Sequence, residues 1–230
     1  MIKIVKKLAA RLPKRWQQGL KRLRFGRQIR SRTFRTGEPE YDLLPGMISP
    51  GDWVLDIGAN IGHYTVRFSE LVGEQGRVIS FEPVPDTFEL LAANVALLPT
   101  KNVTLMNSAA SDATRVVGIE IPKFVDTGLD NYYTAHLSEA SSRLNVLCIA
   151  VDSLNLPHPL RLVKIDAEGH ELPVPKGMRG LLERDHPILI IEDNDAEVAD
   201  YLSEIGYSFE KIGESCNRLF RQSHPVGHGV

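Results

Sequence analysis

Trp53-Val-Leu-Asp-Ile-Gly-Ala-Asn-Ile-Gly62 is a short apolar run that ends in an acid and two glycines. Val54, Leu55 and Ile57 show no polar alternation, the pattern of a strand covered on both faces and hence of a parallel sheet. Gly58 and Gly62 bracket the turn into the next helix. Glycine allows a sharp bend and a close approach of a ligand to the main chain, and the helix that follows opens with unpaired N–H groups. The pattern is that of a nucleotide cradle. Its spacing is Gly-x-x-x-Gly, whereas a dinucleotide pyrophosphate requires Gly-x-Gly-x-x-Gly. A nicotinamide cofactor is therefore the weaker reading. Alone, such a turn also arises where two glycines merely permit tight packing.

Its surroundings favour the cradle. Val78-Ile-Ser-Phe81 ends in Glu82, and an acid closing the second strand of a βαβ unit is placed to hold a pair of ribose hydroxyls. Asp56 has two readings, loop support or ligand contact, and its place at the turn favours the first. Further runs at Val103–Met106, Leu160–Ile165 and Ile188–Ile191 read as strands, with helices after Gly62, across Thr87–Leu98 and near Asp195–Ile205. This alternation predicts a doubly wound α/β sheet with helices on both faces. Val116–Ile121 and Val146–Val151 interrupt the rhythm and predict an inserted hairpin or flap, while Tyr207–Phe220 can supply a closing antiparallel pair.

Three segments resemble a known family. Asp56-Ile-Gly-Ala-Asn-Ile-Gly-His-Tyr-Thr65, Phe81-Glu-Pro83 and Lys164-Ile-Asp-Ala-Glu-Gly-His-Glu171 are similar to signature segments of the FkbM-type S-adenosylmethionine-dependent O-methyltransferases. The last segment is the most specific. The resemblance covers roughly residues 50 to 210 and implies a Rossmann-like class I methyltransferase fold with a mostly parallel seven-stranded sheet. It also implies S-adenosylmethionine as cofactor and S-adenosylhomocysteine as product. The cofactor's carboxylate and amino group would lie near Gly58, Asn60, Gly62 and Tyr64, and its ribose on Glu82.

The strand Leu160–Ile165 delivers Asp166, Glu168, His170 and Glu171 into one short loop. Methyl transfer to a hydroxyl is an in-line displacement, so the protein must align the oxygen and receive its proton. A base that titrates near neutrality does this best, which points to His170. Asp166 and Glu168 can orient the histidine, hold the acceptor hydroxyl, offset a sulfonium charge or replace His170 as base. The competing reading is that these acids cap a helix beginning near Glu171. Asp112, after the third strand, is placed to reach an adenine, with turn capping as its alternative. Glu192, Asp193 and Asn194 end the next strand, beside Asp166 if the sheet order is the usual one, and such oxygen ligands suit Mg²⁺ or Ca²⁺. Solvated loop acids are the commoner outcome, and no metal is expected. Tyr132 and Tyr133 in the flap can stack on a sugar ring or pack in a core.

Composition sets the rest. With 230 residues, 43% hydrophobic and 24% charged, the chain is long enough for one domain, or at most two, with a sizeable core. Cys148 and Cys216 form no ligand spacing, which fits a reducing, cytoplasmic setting. The net charge of −2 conceals a division: 13 of the 27 Lys and Arg fall in residues 1–37, where there is no Asp or Glu. In this arm Ile4, Val5, Leu8, Leu12 and Trp16 recur at helical spacing among basic residues, and Pro13 interrupts them. The arm reads as a helix packed on its own domain or on a dimer mate, as a peripheral contact of residues 1–35 with the inner face of an anionic membrane, as a transit peptide, or as a nucleic-acid arm. Too few aromatics interleave the charge for single-stranded nucleic acid.

These readings converge on a basic arm (1–37), a methyltransferase domain (38–222) and a loose tail (223–230). The expected acceptor is a hydroxyl of a sugar, glycolipid or natural product, free or lipid-linked. Two rivals remain: a non-catalytic nucleotide-binding module docking through its arm to anionic lipid or nucleic acid, and an RNA methyltransferase. Acids gathered around an imidazole speak against the first.

Overall fold

The structure, a computed structural model, describes residues 12–124, 130–138, 144–192 and 196–223. Helix α1 (Lys14–Arg30) and a single turn, α2 (Glu40–Leu43), precede the first strand. Then come β1 (Trp53–Ile57), α3 (His63–Val72), β2 (Arg77–Phe81), α4 (Pro85–Val95) and β3 (Val103–Met106). An insertion follows, with β4 (Ala109–Ser111), β5 (Arg115–Glu120), β6 (His136–Ser138) and β7 (Leu144–Ala150). The chain ends with β8 (Leu160–Ile165), α5 (Pro173–Lys176), α6 (Arg179–Asp185), β9 (Ile188–Glu192), α7 (Ala196–Glu204), β10 (Tyr207–Lys211) and β11 (Asn217–Gln222).

Seven strands form one sheet in the order β10-β11-β9-β8-β1-β2-β3. All neighbours pair parallel except β11, which runs antiparallel to both β9 and β10. Successive residues of the inner strands bury opposite faces. Leu55, Ile57, Val163, Ile165, Leu189 and Ile191 join one core cluster, whereas Val54, Val78, Leu162, Ile188 and Ile190 join the other. Helices cover both faces, which is why these strands carry no polar alternation.

Register places the site. Ile57 pairs with Phe81 on one side and Ile165 on the other, and Ile165 pairs with Ile191. Gly58, Glu82, Asp166 and Glu192 therefore leave the sheet at the same level. The expected flap is a second, four-stranded sheet in the order β4-β7-β5-β6, and its apolar side (Ile119, Val146, Leu137) packs on Val84, just beyond Glu82.

Pro13 immediately precedes α1, in keeping with its inability to sit inside a helix. Phe25 and Ile29 seat α1 against Phe34, Ile61, Val66, Leu90 and Leu98, so this part of the arm packs on its own domain. Ile4, Val5 and Leu8 of the expected amphipathic pattern lie outside the described residues, as do Asp193, Asn194 and Asp195 and the tail beyond Ser223. No helix among the described residues is long and apolar enough to cross a membrane.

Candidate active site

The cleft above the carboxyl ends of the central strands is built on one close main-chain approach. Gly58 has φ of +78°, and a Cβ there would stand 1.7 Å from the carbonyl oxygen of Asp166. Only glycine fits. The N–H groups of Gly58 and Ala59 donate to the Phe81 carbonyl at 3.0 and 2.8 Å, and the Asp166 N–H donates to the Ile57 carbonyl at 3.0 Å. These bonds clamp three strand ends into one floor.

Glu82 is the anchor of that floor. Its Oε2 accepts from the Asn60 N–H and its Oε1 from the Val84 N–H, both at 2.9 Å. Burial pushes its carboxyl up to about 7, against the pull of those two N–H groups. Asn60 adopts the left-handed conformation, φ +49°, that turns its N–H to Glu82. Asp56 lies beneath the floor, fully buried: the Thr65 hydroxyl donates to Oδ2, and burial raises the carboxyl to about 6. It ties β1 to α3 and does not line the cleft.

On the opposite side, Glu168 (φ +46°) and Gly169 (φ +88°) turn the loop sharply. Glu171 caps it, accepting the N–H groups of Ala167 and Gly169 at 3.1 Å each, so this acid serves the backbone. Asp166, Glu168 and His170 line the cleft. Burial, with Asp166 and Glu171 adding to it, raises the Glu168 carboxyl, while burial lowers the His170 imidazole and keeps it neutral. His170 Nε2 lies 2.8 Å from the Ser111 hydroxyl, which donates to Asp112 at 3.0 Å. A hydroxyl has one proton, so His170 donates from Nε2 and Nδ1 is its accepting nitrogen.

Two lining acids fall outside the sequence expectation for catalysis. Glu192 is raised to about 7 by burial and by its hydrogen bond with Asp166. An acid closing an apolar strand is the signal that singled out Glu82, yet at Glu192 the sequence suggested only a metal ligand. Glu38, from the connection after α1, accepts the Tyr64 hydroxyl at 2.5 Å and has no sequence signature.

Three expected cofactor residues sit elsewhere. Tyr64 is buried behind the loop, its hydroxyl between Glu38 and Glu40 and its ring 5.4 Å from Lys164 Nζ. Gly62 starts α3 against Leu91. Asp112 pairs with Arg115 at 2.8 Å, which holds its carboxyl below the usual range, and it is not among the cleft-lining residues. Ala109 and Ala110 line that wall instead, with Ile119 and Leu137 from the flap. Tyr132 also lines the cleft, its hydroxyl 2.7 Å from Asp86 and 3.3 Å from Asp130. The side chain of Tyr133 lies outside the described residues. Among the described residues no group of three or more His, Cys, Asp or Glu side chains is arranged to hold a metal ion.

A doubly wound sheet whose first strand ends in a glycine loop, whose second ends in a buried acid and whose final strand alone runs antiparallel is the Rossmann-like fold of class I methyltransferases. Residues 56–209 match the Methyltransferase FkbM domain, and the chain belongs to that family. The hexuronic acid methyltransferase AglP of Haloferax volcanii is 28% identical over 158 residues, which are 67% of this chain and 61% of that protein. This chain thus spans less than two thirds of that relative's length. A shorter stretch of 56 residues, 24% of this chain, is 34% identical to 26% of protein-L-isoaspartate O-methyltransferase 1 of Archaeoglobus fulgidus. Among solved structures, the methyltransferase FkbM from Methylobacillus flagellatus superposes with a TM-score of 0.54 at 18% identity, over 76% of this chain and 44% of that one.

Proposed function

We propose that this chain transfers a methyl group from S-adenosylmethionine to a hydroxyl oxygen of a sugar, glycolipid or natural-product acceptor. The observation that carries the reading is the placement of two acid groups across one glycine floor, Glu82 on one side and Asp166, Glu168 and His170 on the other. The residues present suit the cofactor. With both oxygens already fixed by main-chain N–H groups, Glu82 has lone pairs left for vicinal hydroxyls, and Ala109, Ala110, Ile119 and Leu137 offer an apolar slot for a base. S-adenosylmethionine supplies a sulfonium-activated methyl carbon. What remains for the protein is to align the acceptor oxygen and accept its proton. Neutral His170 takes that proton on Nδ1, and Glu168 is the carboxyl nearest in role.

The name of the Haloferax relative favours a second reading, methylation of a hexuronic acid. A carboxylate acceptor needs no base and would enter a cleft lined by five acids, Glu38, Glu82, Asp166, Glu168 and Glu192, with no Lys or Arg among the lining residues. The cleft therefore suits a hydroxyl better. Methyl transfer to neutral hexosides and to hexuronic acids, with the product tested for alkali-labile ester or stable ether, separates the two. His170→Ala should slow ether formation about 10²-fold or more, the usual contribution of a general base, and should leave ester formation unchanged.

A further inference from the structure

The domain core accounts for the inner side of α1 but not for its outer side. Trp16, Leu20 and Leu23 stand at i, i+4 and i+7, one stripe of a helix, and Leu12 continues it just before the first turn. All four are exposed, by 58%, 49% and 70% for the helical three and 38% for Leu12. The domain contact uses the opposite side, Phe25 and Ile29. Arg15 and Arg24 flank the stripe and Arg27 ends it, and among the described residues none of the three has an acidic partner. The cations that do pair, Lys14 with Asp86 and Asp130 and Arg22 with Glu89, point at the domain.

We infer that this outer face docks on an anionic lipid bilayer. An apolar stripe between arginines is what an interfacial helix requires: the leucines and the tryptophan enter the acyl boundary, while the guanidinium groups stay among phosphates. Charge complementarity selects this occupant. Residues 1–37 hold 13 Lys and Arg and no acid, leaving 14 basic against 29 acidic residues in the remainder. An anionic surface attracts the arm and repels the body, so it also orients the molecule. A second copy of the same helix would set arginines against arginines. Single-stranded RNA would meet one exposed aromatic, Trp16, and few platforms on which bases stack.

The docked helix is tied to the cleft. Lys14 Nζ lies 3.0 Å from Asp130 and 3.8 Å from Asp86, the two acids that hold the hydroxyl of Tyr132, and Lys21 Nζ stands 5.6 Å from the Tyr132 ring centre. Under the proposed function, a lipid-linked acceptor would meet the cleft next to the surface that holds it.

Flotation of the full chain tests the docking without any cofactor, using phosphatidylcholine vesicles and three-to-one phosphatidylcholine–phosphatidylglycerol vesicles at low and moderate salt. The expected result is binding to the anionic vesicles alone, weakened by salt, lost in Leu20→Asp/Leu23→Asp, and reduced roughly fivefold for each arginine removed in Arg24→Ala/Arg27→Ala. Trp16 fluorescence should be quenched by brominated acyl chains in the unmutated protein, measured as its difference from Trp16→Phe. That readout holds even should the aspartate variant fold poorly. Equal binding to both vesicle types, unquenched Trp16, or tighter binding to single-stranded RNA than to anionic vesicles at the same salt would overturn the inference. S-adenosylmethionine binding measured on the same samples reports separately on the proposed function.

Discussion

Gly58 and Gly169 carry nearly the same backbone torsion, φ of +78° and +88°, and occupy very different surroundings. A side chain at Gly58 would collide with the Asp166 carbonyl, whereas nothing lies within 4 Å of the Cβ position at Gly169. Gly169→Ala should therefore show only the strain of its torsion, about 1–2 kcal/mol. Gly58→Ala must in addition push two strand ends apart. It should lower the melting temperature further and abolish cofactor binding, and equal melting temperatures for the two variants would contradict this. The requirement for glycine at Gly58 was legible in the sequence, because the residue follows an apolar strand and precedes a helix. The orientation of Tyr64 was not. It sits one residue into α3, and the phase of that helix turns its ring into the core beside Phe68 and its hydroxyl to Glu38 and Glu40. Asp112 is similar: its partner Arg115 was visible three positions away, but a local pair and a ligand contact look alike until the third dimension is known.

At the scale of elements, the inner strands were legible because burial on both faces leaves adjacent apolar residues, as at Val54–Leu55, Leu162–Val163 and Ile188–Ile191. The flap was only half legible. β5 and β7 have runs long enough to notice, while β4 and β6 are three residues each and carry no periodic pattern. What fixes the flap is a set of specific contacts, among them its apolar packing on Val84 and the Tyr132 hydroxyl held by Asp86 at the start of α4. Tyr132→Phe should remove about 0.5–1.5 kcal/mol of that docking. Hydrogen exchange should then quicken in β5 and β6 and stay unchanged in β8 and β9, and uniform acceleration would place Tyr132 in the general stability of the fold instead. Glu192, too, is a matter of elements. The sequence could set it beside Asp166 only by assuming the usual sheet order, and the β8–β9 register puts it there.

For the molecule as a whole, the site is held at the expense of stability. Asp56, Glu82 and Glu192 are raised by burial to about 6, 7 and 7, from ordinary values near 4. An acid raised in the folded state binds its proton more tightly there than in the unfolded chain. Below the unfolded value both states are protonated and the group is neutral to stability; above the folded value both are ionised and its full burial penalty is present. Stability should therefore fall as pH rises from about 4 to about 7. Chemical denaturation at pH 5 and pH 7.5 checks this, and Glu82→Gln, which removes the titration but turns an amide NH2 toward one of the two N–H groups that Glu82 accepts, should flatten the profile.

The most direct measurement is calorimetric titration with S-adenosylmethionine, S-adenosylhomocysteine and NAD, made at pH 8 and pH 6 and repeated on Glu82→Ala. An ionised Glu82 accepts hydroxyl protons and a protonated one does so poorly, so affinity should weaken as pH falls through about 7. The expected result is micromolar binding of the first two ligands, none of NAD, weaker binding at pH 6, and loss of both binding and pH dependence in the variant. Binding that is unchanged by Glu82→Ala, or a preference for NAD, would contradict the assignment of the Gly58–Glu82 floor as the seat of S-adenosylmethionine.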